Sequence, residues 1–447
     1  MNTNKIDNYK LFLFFLIVIS YFVGFIFREN SAGGAEQDFL NFTWPAIQGF
    51  KKDFFYAIKN YGQYGEGSWP MFHVVNSLLN PFTNSKIGFQ FSITILSLLN
   101  VFIFKKIIDK KFNLKQIDSL LISSTLLLLP IFRSSAFWGL TENFGWLFLL
   151  LSIYFFLNLK DKNLSVKIKK DDLINIFLIC FFSSVALYTR PYLIFFPIYY
   201  LSYLLIIKKN NQLIFYSILF YVLMSVPGLA LIDIWGGLYD VKNRSDSLLL
   251  KYLNPENSFR NLPVIASLIA FYYAPFLFIE IIGNFRNVIK KYYMSFIFFA
   301  TLLIILTLFG ILNPLKNILI GGGVVLKMDY IFFGKNLIFF SIISALGFSI
   351  LFKTLIDDFK NNAILIFPFL IIYSLPYIIL QEYFEPLILF LFFLLISFKA
   401  INLSKKNTNT YIAVFSTFFI TYLAGSVFFK HFAFRDIDQW RFFLNSL

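Results

Sequence analysis

Apolar stretches of up to about 22 residues recur from one end of the chain to the other. They fall at roughly 11–27, 85–104, 118–132, 140–157, 173–188, 191–207, 213–233, 263–282, 294–312, 336–352, 363–380, 386–400 and 410–428. A helix rises 1.5 Å per residue, so most of these stretches are long enough to cross a hydrocarbon core of about 30 Å. The pattern predicts a single all-α, polytopic membrane domain over residues 1–447, with about 13 transmembrane helices. The first stretch reads as a retained anchor, because Arg28-Glu29-Asn30 follows it with no small-residue cleavage site. Between the stretches lie four longer polar segments, 28–84, 234–262, 313–335 and the tail 429–447. Within the first, Ile47, Phe50, Phe54 and Ile58 share one helical face over residues 46–58, which predicts an interfacial helix entered through Pro45.

Composition agrees with the pattern. Apolar residues make up 58% of the chain and charged residues only 14%, too few to cover a water-soluble surface. The 63 phenylalanines are read mainly as A/T-rich codon usage rather than as a lipid groove. One cysteine, Cys180, excludes an internal disulfide, and two histidines leave no zinc pattern.

Charge sets the orientation. With the N-terminus inside, 22 Lys/Arg fall on inner segments and 17 on outer ones, and the inner segments are shorter. That bias satisfies the positive-inside rule. The net charge of +15 therefore points to lipid headgroups as partners, not to nucleic acid. All six tryptophans lie on or near the outer side, where the long segments also lie.

The candidate chemistry gathers on that outer side. Glu36 and Asp38 follow the first span, where a carboxylate can take a proton from a hydroxyl nucleophile. Glu66 and Trp69 belong to a Gly-, Trp- and Pro-containing loop that leads into His73; Trp69 is placed to stack on a sugar ring or to anchor at the interface. Glu142 and Asn143 sit at the top of the fourth span, a depth at which an ionisable group marks function by default; a structural pair between Arg133 and Glu142 is the other reading. Arg190, between Thr189 and Pro191 and beside Tyr192, can bind a phosphate through two N–H groups or snorkel to the interface. Glu382 lies in a second short acidic turn, and Lys327, Asp329 and Lys335 add charge from 313–335. No phosphate-binding glycine loop or nucleophile elbow occurs. Acids, a few cations and aromatics at one membrane face suit a reaction between a lipid phosphate and a hydroxylated acceptor.

This layout resembles the GT-C superfamily of membrane glycosyltransferases, whose hallmark is an acidic motif in the first outer loop, here Glu36-Gln37-Asp38. Thr141-Glu142-Asn143, Thr189-Arg190-Pro191, Gln381-Glu382-Tyr383-Phe384-Glu385-Pro386 and Asp436-Ile437-Asp438-Gln439-Trp440-Arg441-Phe442 are similar, in order, to segments of the alpha-1,2-glucosyltransferases that add the terminal glucose to the lipid-linked N-glycan precursor. The chain departs from that family in having Glu-x-Asp for its adjacent Asp-Glu pair and no arginine within 381–386. The resemblance implies a polyprenyl- or dolichyl-phosphate hexose as donor and a glycan or lipid-linked oligosaccharide as acceptor. It implies an inverting displacement with Asp38 or Glu36 as base. Arg190, with Lys327 or Lys335, would hold the leaving phosphate, and Glu142, Asn143, Trp69, Glu66, Tyr192 and Glu382 would bind substrate. A divalent cation fits this chemistry without being required. The site would face the periplasm of a bacterial inner membrane or the lumen of the endoplasmic reticulum. The rival expectations are a polysaccharide ligase or polymerase and a lipid-linked glycan flippase or transporter.

Overall fold

A computed structural model describes residues 3–64, 68–160, 169–237, 255–312, 322–334, 336–397 and 408–432. Glu66, Lys335, residues 313–321 and most of the segments 234–262 and 429–447 lie outside the described residues. The described residues form helices and turns only. They divide into two compact units, Met1–Leu248 and Leu249–Leu447.

The first unit contains α1 (Thr3–Ile26), α2 (Ala35–Asp38), α3 (Trp44–Lys52), α4 (Phe54–Lys59), α5 (Met71–Leu79), α6 (Lys86–Phe112), α7 (Gln116–Ser124), α8 (Pro130–Trp138), α9 (Glu142–Lys160), α10 (Lys170–Thr189), α11 (Phe195–Tyr203) and α12 (Asn211–Trp235). The second contains α13 (Pro255–Leu308), α14 (Gly323–Phe333), α15 (Ile338–Asp357), α16 (Phe359–Ser374), α17 (Leu387–Phe390) and α18 (Thr408–Val427). Nine helices among the described residues are long and apolar enough to cross a bilayer. One of them, within α13, is two helices in space. Asn284 is extended (φ −163°, ψ 93°), and its side chain caps the second half by accepting from the Asn287 N–H at 3.1 Å. Lys291 Nζ lies 2.8 Å from Glu280 Oε2. On a continuous helix those residues would stand about 16 Å apart along the axis, so the chain folds back at Asn284. The expected spans 263–282 and 294–312 are these two halves.

The structure departs from the expected spans in two places. The span expected at 118–132 is broken. Leu129 is extended ahead of Pro130, which opens α8, and the helical segments on either side of it meet at 71°. Among its described residues, the span expected at 386–400 is helical over 387–395, and every residue there is buried. Nine helical residues reach about 14 Å, about half of a hydrocarbon core of about 30 Å.

The expected interfacial helix is also broken, at Asp53 (φ −153°, ψ 103°), whose carboxylate caps α4 by accepting from the Tyr56 N–H. Its apolar face is as expected, but the protein covers it. Ile47 and Phe50 are buried, and Phe54 and Ile58 pack around Ala57, Tyr61 and Trp235. Trp235 donates its indole N–H to the Ile58 carbonyl at 2.7 Å.

Within each unit, ends that the charge pattern assigns to one face meet each other. Lys10 pairs with Asp118 at 2.5 Å, and Lys110 donates to Asn158, all from segments assigned inside. Arg133 meets Glu29, and Trp69 meets Tyr188, all from segments assigned outside. In the second unit, the Asn362 side chain binds the Ser397 backbone on the inner side, and Arg260 donates to the Tyr377 carbonyl on the outer side.

Candidate functional site

The first unit builds its polar end around one turn of α8. Its residues Arg133, Ser134 and Ser135 are all buried, and each holds a different piece of chain. Arg133 binds Glu29 through Nε (2.8 Å to Oε1) and Nη2 (2.6 Å to Oε2). Its other N–H groups reach the Ser20 carbonyl at 2.8 Å, the Leu127 carbonyl at 3.0 Å and the Ser20 hydroxyl at 3.4 Å. A guanidinium has five N–H donors, and here all five are used. Arg133 is therefore a lock and does not pair with Glu142. Glu29 is held further by the Ser31 hydroxyl at 2.8 Å, and its own carbonyl accepts from Trp138 Nε1 at 3.0 Å.

Ser134 Oγ accepts from the Ala32 N–H at 2.8 Å and lies 3.2 Å from Ser31 Oγ. It fixes the segment that leads into α2. There Ala35 is buried, Glu36 is half-buried and Asp38 is exposed. The Glu36 side chain makes no hydrogen bond or ion pair among the described residues. Phe39, next to Asp38, is buried with its ring 6.5 Å from Trp138 and stacked 6.2 Å from Phe89.

Ser135 Oγ donates to Glu142 Oε2 at 2.9 Å, and Glu142 is also ion-paired with Arg190. Glu142 opens α9, where the helix dipole favours a negative charge. Arg190 follows the last residue of α10, extended ahead of Pro191 (φ −136°, ψ 103°). Its stem crosses α9 at Gly145, where an added Cβ would lie 3.4 Å from Arg190 Cγ. Next to Glu142, the Asn143 side chain donates to Ser97 Oγ at 3.0 Å and to the Phe132 carbonyl at 2.8 Å, and the Asn143 backbone carbonyl accepts from Asn100 at 3.0 Å. Two donor contacts fix the amide orientation and tie α9 to α6 and α8. Asn143 is thus fully buried among helices, an anchor rather than a surface available to a ligand.

The aromatics form a second layer. Trp69 is half-buried and stacks on Tyr188 at 5.4 Å and 18°, so one of its faces is already taken. Tyr192 lies 6.1 Å from Trp146.

The other sequence candidates belong to the second unit. Lys327 is half-buried on α14 and makes no ion pair or hydrogen bond among the described residues; burial pushes its ammonium pKa down. Glu382 is half-buried on a short turn, Gln381–Tyr383. Its neighbour Glu385 is the fully buried acid, accepting from Tyr272 at 2.5 Å and from Tyr422 at 2.9 Å, while Gln381 donates to both tyrosines.

The structure thus brings Glu142 and Arg190 into direct contact and leaves Asp38 exposed on the neighbouring segment held by α8. Sequence reasoning missed Glu29, Ser134 and Ser135. The available signal was three consecutive polar residues, Arg133-Ser134-Ser135, inside an otherwise apolar run. Among the described residues, no group of three or more His, Cys, Asp or Glu gathers to hold a metal.

Fold and polar end together define a multi-pass helical membrane protein with its charged groups collected at helix ends. No known protein family, no characterised protein and no solved structure matches the chain.

Proposed function

We propose that the protein is a GT-C-type membrane glycosyltransferase. It moves a hexose from a polyprenyl- or dolichyl-phosphate carrier to a glycan hydroxyl at the outer or lumenal face. The observation that carries this reading is the arrangement around α8. An exposed carboxylate, Asp38, lies on a segment held by one buried polar turn of α8, and the same turn holds Glu142, at the start of α9, which pairs with a partly exposed arginine, Arg190. An acid open to an acceptor and a cation open to a leaving phosphate are the two parts that direct displacement needs.

In this mechanism Asp38, or Glu36, takes the proton of the acceptor hydroxyl as its oxygen attacks the anomeric carbon. The carbon–oxygen bond to the carrier phosphate breaks, and the configuration inverts. Charge builds on the departing phosphate, where Arg190 stabilises it more than in the ground state. Glu142 keeps the guanidinium in place between turnovers. Lys327 and Glu382 enter only as further candidates for substrate contact in the second unit.

The test is transfer of a radiolabelled hexose from a short-chain polyprenyl-phosphate hexose by the purified protein. Asp38→Asn should lower turnover by about 10²–10⁴-fold. Near-normal turnover in Asp38→Asn, Glu36→Gln and the double variant removes the base from this segment.

One observation favours the flippase reading instead. A span broken at 71° beside a buried Arg–Glu pair is a feature of transporters. In sealed vesicles, movement of a fluorescent lipid-linked glycan between leaflets without hexose transfer would decide for it.

A further inference from the structure

We infer that Ser134 and Ser135 are positioning residues that set the two halves of the proposed site independently, Ser134 the α2 segment and Ser135 the Arg190 guanidinium. The inference rests on the proposed transferase only for its kinetic arm.

The geometry separates the two roles. Ser134 Oγ takes the Ala32 N–H and contacts the Ser31 hydroxyl, three and four residues ahead of α2. Among the described residues it makes no hydrogen bond to α9 or α10. Ser135 Oγ instead donates to Glu142 Oε2, while Arg190 Nη2 meets Glu142 Oε1, and Ser135 Oγ accepts from the Asn143 N–H at 3.4 Å. Adjacent residues on a helix diverge by about 100°, so one turn can serve two segments without either contact passing through the other. The turn itself is rigid. Arg133 anchors it with five donors, Pro130 fixes its start, and Gly139 ends α8 in the left-handed region (φ 68°, ψ 44°) with Phe89 packed where a side chain would be. A buried hydroxyl lost from such a turn leaves its partner unsatisfied, and the partner segment moves to find another.

The structural test uses the full-length protein with a nitroxide on Asp38→Cys. Cys180 is fully buried and does not compete for label. Adding Ser134→Ala should increase label mobility, and so should Ser31→Ala, which removes the same contact from the other side. Adding Ser135→Ala should leave the spectrum unchanged. The kinetic test uses unlabelled protein. Ser135→Ala should lower kcat and raise the donor KM, about 10–100-fold in kcat/KM for the donor with the acceptor KM unchanged, and Ser135→Cys, which keeps a weak donor, should recover part of it. Ser134→Ala should lower kcat with donor KM unchanged. Label mobility that responds equally to Ser134→Ala and Ser135→Ala, or to neither, overturns the inference. A split in mobility in a protein with no hexose transfer supports the positioning roles and rejects the transferase reading.

Discussion

At the residue scale the two arginine–glutamate pairs differ in what they leave available. Arg133 spends all five N–H groups on protein partners and is nearly inaccessible, with its side chain 2% exposed. Arg190 is 14% exposed and is held from one side by Glu142. Breaking the first pair should cost stability: Glu29→Ala leaves a buried guanidinium uncompensated, at about 3–5 kcal/mol. Replacing both partners with apolar residues of similar size, Glu29→Leu with Arg133→Met, should cost less than Glu29→Ala alone, and denaturation in detergent ranks the three. Arg190→Lys should instead leave the melting temperature near wild type and reduce transfer, because it keeps the charge but loses the planar fork. Asp329 gives a pH test. It is fully buried and accepts from the Phe340 N–H at 3.0 Å, and burial pushes its carboxyl pKa up. A raised folded pKa means that its stabilising contribution is full below the ordinary carboxylate range and is lost as pH rises through the folded value. Asp329→Asn keeps the acceptor and removes the titration, so the stability of the variant relative to wild type should increase from acid to neutral pH. A constant difference across that range would count against a titrating Asp329. The residue types at the polar end were legible in the sequence, but their pairing was not. The structural alternative for Glu142 pairs it with the nearby Arg133, yet the partner of Arg133, Glu29, lies 104 positions away. Only the packing of α8 beside the end of α1 brings that pair together.

At the element scale, hydrophobic length predicted where helices run but not where they stop. Most expected spans coincide with a helix, because a run of apolar residues in lipid must satisfy its backbone internally. The breaks depend on local backbone chemistry that hydropathy averages away: Pro130 after an extended Leu129, Asp53 turning to cap the next helix, and Asn284 doing the same within α13. Helix contacts also rest on single positions. Gly347 of α15 lies against α13 so closely that an added Cβ would overlap the Ala266 carbonyl. A backbone carbonyl cannot rotate away, so Gly347→Ala must separate the helices, at about 1–3 kcal/mol. Gly425 in α18 has nothing within 4 Å of its Cβ position, and Gly425→Ala should leave stability unchanged or slightly raised. Thermal unfolding of the two variants in one detergent compares a close helix crossing with an open helix face; equal melting temperatures would show that α13 and α15 do not meet at Gly347.

At the scale of the whole molecule, the charge pattern and the internal contacts address the same question from different sides. The positive-inside rule assigns each inter-helix segment to a face from its Lys and Arg alone. The contacts, which know nothing of a membrane, join inner segments to inner and outer to outer within each unit, as Lys10–Asp118 and Arg133–Glu29 do in the first. The assignment still depends on an odd number of crossings, and the broken α7–α8 segment and the short helix at 387–395 are where it is most exposed. Cysteine labelling in sealed vesicles tests it directly, with positions that the structure leaves accessible. Lys52 is exposed on a segment assigned outside and Ile311 at the outer end of the span 294–312, and Lys111 and Lys290 are exposed on segments assigned inside. Single cysteines at Lys52 and Ile311 should react with an impermeant maleimide from one side. Cysteines at Lys111 and Lys290 should react only after the vesicles are opened, or from the opposite orientation, while buried Cys180 stays silent throughout. If Lys52 and Lys111 report the same side, α6 does not cross as drawn. If the first unit behaves as expected but Ile311 and Lys290 exchange sides, the number of crossings between the units is even where the charge pattern requires it odd. In that case the outer-face placement of Lys327 and Glu382 fails, while the site built on α8 stands.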